Sequence, residues 1–211
     1  MPKTLLFILL IASGAFSRNA SAQYKMEAAG APPSELAPAM SAALQKQGTK
    51  IMNGSGATVC EVWFRSVAPS GPKSTEDAVS LPTIPMGSYI GAIRFPAQAS
   101  DRRGQNLKPG VYTMRYGLYP VNGDHQGVAP QRDFAVLVPA ADDKDPKSTP
   151  SFENLVAMST KASGTPHPAV LSLSSGSGST TFTKEGDHDW TLNTKMGDLP
   201  ISIILIGKVE G

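Results

Sequence analysis

The sequence predicts an all-β protein, an antiparallel β-sandwich with two short peripheral helices. Three observations predict it. Apolar or alternating runs are of strand length. Turn residues separate them throughout, with 20 glycines and 18 prolines in 211 residues. Only two stretches space their apolar residues as a helix does.

The chain opens with Met-Pro-Lys, an apolar run from Leu5 to Ala12, and Ala20-Ser21-Ala22. A charged start, a short apolar core and a small-x-small site make a secretory signal peptide over residues 1–22, with cleavage after Ala22. The run is too short to span a bilayer, and no later apolar stretch is long enough either. Residues 23–33, rich in Ala and Pro, read as a disordered leader. Residues 34–211 read as one domain, large enough to bury a core without disulfides.

The elements follow in order. Ser34 to Gln47 has Leu36, Met40, Ala43 and Leu44 at helical spacing, with Pro38 uncomfortable in the first turns. Lys50–Met52 and Thr58–Ser66 flank Asn53-Gly54-Ser55-Gly56 as a hairpin. Residues 67–87, with four prolines, form a long loop. Ser88–Phe95 is a strand. Val111–Tyr119 is another, with Tyr112, Met114, Tyr116 and Leu118 on one face. Asp133–Val138 is apolar on both faces and therefore central. Asp142-Asp143-Lys144-Asp145 reads as a solvated bend. Thr149-Pro150 opens a helix to about Lys161. Strands near 169–174, 180–184, 189–193 and 200–207 complete the domain, with Trp190 on the face of Leu192.

Charge and cysteine content narrow the function. Removing the signal takes Lys3 and Arg18 but no acid, so 19 basic and 17 acidic residues become balanced. A neutral domain without a Lys/Arg run is a poor partner for nucleic acid or an anionic membrane. The lone Cys60 excludes an intrachain disulfide. Period two places Cys60, Val62 and Phe64 on one face, which makes Cys60 a core residue. Export with a single cysteine fits a periplasmic or secreted bacterial protein.

No HExxH, CxxC, P-loop or G-x-S-x-G occurs. The pattern implies no cofactor. His167 and His188 lie in loops expected at one end of the fold and could meet around a metal with Asp187 or Asp189. His125 falls in the loop expected at the other end. Trp63 shares the polar face of its strand with Glu61 and Arg65. If open, that face is a stacking platform for sugar rings or a partner surface; if the N-terminal helix or a loop covers it, Trp63 is core. Arg115, inside an apolar strand, needs an acid or carbonyls if buried, and Asp133 at the start of the next strand is the nearest candidate.

Asp101-Arg102-Arg103-Gly104, Pro109 to Gly117, Gly123 to Gly127 and Pro130 to Ala140, with Gly56 to Phe64 upstream and His167 to Leu171 downstream, carry a resemblance. Together they resemble a group of uncharacterised secreted proteins from soil bacteria of the acidobacterial kind. The resemblance implies export and a single domain, and no catalytic residue. The leading expectation is a non-enzymatic exported module that binds or scaffolds in the envelope, with carbohydrate as the best-motivated ligand. The rival is a secreted metal- or carboxylate-dependent hydrolase using the loop histidines and acids.

Overall fold

The computed structural model describes residues 24–119 and 132–208. The signal-like segment and His125 lie outside the described residues. In chain order the elements are β1 (Lys25–Ala28), α1 (Pro38–Ala42), β2 (Thr49–Met52), β3 (Thr58–Phe64) and β4 (Tyr89–Phe95). The short pair β5 (Ala99–Ser100) and β6 (Asn106–Leu107) follows, then β7 (Gly110–Leu118), β8 (Asp133–Pro139) and α2 (Phe152–Ser163). The last four are β9 (Val170–Ser175), β10 (Thr181–Glu185), β11 (Asp189–Met196) and β12 (Leu199–Ile206).

Ten of these strands form one antiparallel sheet in the order β1-β2-β3-β4-β7-β8-β9-β12-β11-β10. Mostly strand, with two helices among the described residues, the fold is all-β as expected. The separate facing sheets of a sandwich are not what the strand order gives. β9 is the reason: Val170–Ser172 pairs with β8, and Leu173–Ser175 pairs with β12. The sheet curls until it is nearly closed like a barrel. Strand directions alternate across ten strands, so the edge strands β1 and β10 run antiparallel where they approach. An aromatic trio bridges that seam. Tyr24 meets Phe182 at 6.1 Å and Trp190 at 4.9 Å between ring centroids, and Phe182 stacks on Trp190 at 5.5 Å.

The inner face follows the period-two reading. Cys60, Val62 and Phe64 of β3 point inward with Tyr112, Met114, Tyr116 and Leu118 of β7 and Ile201, Ile203 and Leu205 of β12. Each large aliphatic or aromatic side chain buried there contributes about 1.5–3 kcal/mol. The Pro-rich segment after β3 is no free loop. Its Leu81 and Ile84 enter the same core. Asp133 holds it there, accepting from Ser80 N and Leu81 N at 2.8 Å each and from Tyr116 Oη at 2.7 Å.

Two apolar layers cover the outer face. Ala29, Leu36, Met40 and Leu44 pack on Trp63, Tyr89 and Ala92. Leu155 of α2 packs on Phe134, Val136 and Val170, which explains why β8 is apolar on both sides. The N-terminal helix is much shorter than the expected 34–47. Pro38 lacks an N–H and sets the first turn, and Ala37 before it is extended (ψ 144°). Lys25–Ala28, expected within a disordered leader, forms β1 by backbone pairing to β2.

The expected Arg115–Asp133 pair does not form. Asp133 lies opposite Leu118 and shares its inward face, whereas Arg115 alternates with Met114 and Tyr116 and points outward. The partner of Arg115 is Asp143, from the stretch expected to be a solvated bend. Arg115 is 0 % and Asp143 2 % side-chain exposed. Nε and Nη2 of Arg115 donate to the two carboxylate oxygens at 2.7 and 2.6 Å. Nη1 donates to Gly87 O and Ser148 O, and Nη2 also to Asp145 O. All five guanidinium donors are used. The cluster ties the 141–150 segment to the sheet.

Candidate ligand-binding site

The residues expected to carry function are placed as follows. Glu61, Trp63 and Arg65 do share the outer face of β3, but the stacking platform is closed. Trp63 is 2 % exposed, and its Nε1 donates to Gly30 O at 2.9 Å. The segment around α1 lies over it, so no sugar ring reaches it in this structure. Glu61 accepts from Arg94 Nε at 2.5 Å, and Arg65 Nη1 donates to Pro146 O at 3.4 Å.

The metal set is likewise not assembled. Among the described residues no three His, Cys, Asp or Glu side chains converge. Asp189 forms an ion pair with Arg102, which sets a cation where a metal would need a ligand. Asp187 and His188 are exposed on the turn between β10 and β11. His167 faces a different feature, beside the neighbouring Arg103.

That feature is a cavity of about 180 Å³ between α2, the β6-side turn and the outer face of the sheet. Each wall has a local cause. α2 begins at Ser151, whose Oγ accepts from Asn154 N, and ends at Gly164 in the left-handed conformation (φ 67°). Ser159 fixes the helix at the sheet. Its Oγ donates to Leu137 O at 2.6 Å and accepts from Ala169 N at 2.9 Å. This sets Phe152 and Val156 against the cavity.

The segment from helix to β9 is stiff. Ser163 Oγ donates to His167 O at 2.6 Å, and His167 N donates to Thr165 Oγ1 at 3.1 Å. Prolines flank His167 on both sides. From the sheet come Tyr119 and Phe134, their ring centroids 4.3 Å apart. Burial pushes the Tyr119 phenol up to about 12, against the pull of the nearby Arg103 guanidinium.

Arg103 is set by a buried carboxylate. Asp101 accepts from Arg103 N at 3.0 Å, Gln105 N at 2.8 Å, Gln105 Nε2 at 2.8 Å and Val170 N at 3.1 Å. This docks the turn onto the start of β9, where β12 has already diverged. Burial raises the Asp101 carboxyl above its ordinary value, and the four hydrogen bonds oppose the rise. Arg103 itself is half-buried, and its guanidinium makes no hydrogen bond or ion pair with any described residue. The cavity therefore has aromatic and aliphatic walls, and among the described residues the polar side chains that line it are Arg103, His167 and the Tyr119 phenol.

The sequence did not point here. In the sequence Tyr119 is only the end of a strand and His167 a metal candidate, and Asp101–Gly104 enters through the resemblance alone. Comparison with protein-family models, with curated proteins and with solved structures finds no match in any of the three.

Proposed function

We propose that the protein is an exported, non-enzymatic binding protein. In this reading the nearly closed sheet is a rigid scaffold and the cavity beside α2 takes a small ligand. One observation carries it: a guanidinium without a partner among the described residues lines an aromatic-walled cavity held by hydrogen-bonded segments. Small-molecule sites combine apolar walls with a few placed polar groups in this way. At about 180 Å³ the cavity suits a single ring or a short chain rather than a drug-sized molecule. Carbohydrate, expected through an open Trp63, loses that anchor and becomes one arm of the test.

The test is a ligand-observed NMR screen of the purified protein against small rings, short acids and monosaccharides. A repeat on Val156→Phe, which fills the cavity from α2, identifies hits that occupy it. The reading expects hits that vanish in this variant while its melting temperature is maintained. Hits that persist unchanged place binding elsewhere and overturn it.

A further inference from the structure

We propose that the cavity takes a small aromatic carboxylate, with the ring among Phe134, Phe152 and Val156 and the carboxylate on Arg103. This rests on the reading that the cavity is the ligand site. Size comes first. A cavity of about 150 Å³ suffices for a benzene ring, and this one measures about 180 Å³. That leaves room for a ring with one small substituent.

Chemistry selects the substituent. Arg103, His167 and Tyr119 are the polar side chains that line the cavity among the described residues, and none of these is a carboxylate or an amide. A guanidinium has only donors. A neutral polyol would offer the guanidinium only neutral acceptors, and a hydrogen bond between two charged groups is the stronger one. A carboxylate brings acceptors only, and its planar fork matches the guanidinium. The aromatic walls then select among acids, because a flat ring packs against Phe152 and Phe134 and a two-carbon acid does not. Rigidity adds to selection. The Asp101 hydrogen bonds and the Ser163–Thr165 contacts fix both polar flanks before a ligand arrives.

Benzoate, benzyl alcohol and acetate are titrated into the full-length purified protein, its Val156→Phe variant and its Arg103→Met variant, with ligand-observed NMR as the readout. Arg103 sits on a turn, so Arg103→Met is expected to fold, and a thermal melt checks it. The proposal expects saturable benzoate binding with a dissociation constant of roughly millimolar or better. Benzyl alcohol should bind about 10–100-fold more weakly, and acetate should show no saturable binding. Arg103→Met should lose benzoate by a similar factor while keeping its weak affinity for benzyl alcohol. Val156→Phe should lose both. Equal affinity for benzoate and benzyl alcohol, or unchanged benzoate binding in Arg103→Met, overturns the carboxylate and leaves the cavity as a site. Binding of neither ring, or ring binding that survives in Val156→Phe, overturns the cavity reading and the proposal with it.

Discussion

Replacing Asp143 with Ala should cost the fold about 3–5 kcal/mol, the penalty for stranding one member of a buried ion pair. The structure supports the upper class of effect. Arg115 is fully buried and Asp143 nearly so. Asp143 also accepts from Thr113 Oγ1 at 2.6 Å, so its loss removes three hydrogen bonds. The carbonyls of Gly87, Ser148 and Asp145 and the Ser148 hydroxyl still accept from Nη1 and Nη2, but Nε is left with nothing. Against a total stability of about 5–15 kcal/mol, this loss is readily measured. It corresponds to a melting-point drop of roughly 6–20 °C for a domain of this size. Urea denaturation of Asp143→Ala, Arg115→Met and the double variant gives the coupling. The double variant should be less unstable than the sum of the singles. It should not return to wild type, since the three carbonyls lose their donor, each at about 1–3 kcal/mol. The matched cycle of Arg115→Met with Asp133→Asn should be additive, because the two side chains lie on opposite faces of the sheet. Additivity in the Asp143 cycle, or strong coupling in the Asp133 cycle, would refute this reasoning.

Three further outcomes are expected. Burial, with the charge of Glu61 adding to it, pushes the Cys60 thiol up to about 12. Thiol reagents should therefore react only after unfolding, and rapid labelling of native protein would place Cys60 off the inner face. Stability should fall as pH rises above about 9. Burial raises the Cys60 thiol and the Tyr89, Tyr116 and Tyr119 phenols above their ordinary values of 9.0 and 10.0. In that window the folded state binds more protons than the unfolded state, so raising the pH favours unfolding. Urea midpoints measured from pH 7 to 11 check it, and a flat profile contradicts it. N-terminal sequencing of exported material should read Gln23 first; an intact Met1 would refute cleavage after Ala22.

The inner faces were legible because a residue's side of a sheet depends only on its neighbours two places away. Cys60, Val62 and Phe64, and Tyr112 through Leu118, needed no tertiary knowledge. The same rule, applied to Arg115, would have rejected Asp133: if Met114 and Tyr116 point in, Arg115 points out. Asp143 was illegible for another reason. It stands in a run of charged residues, and its burial depends on a loop returning over β7, which no local pattern encodes. β1 was missed because all four of its residues are exposed, leaving no apolar alternation to detect. Closure of the sheet turns on β9 dividing its pairing between two neighbours, a long-range choice. The cavity draws on residues from the 101–104 turn to the 166–168 linker, and only folding brings them together. The His167 flanked by prolines was visible as an unusual backbone position; in the structure it lines the cavity that Arg103 also lines.

The most direct test of the functional account is a heteronuclear NMR map of where a bound ring perturbs the protein. Isotope-labelled protein is titrated with benzoate and backbone amide shifts are followed. The account expects saturating shifts clustered at Arg103, Tyr119, Phe134, Phe152 and His167, with little change at Trp63 or at the Tyr24–Trp190 seam. Shifts that centre on the seam aromatics or on the α1 side of the sheet, or no saturable shift at all, would contradict it.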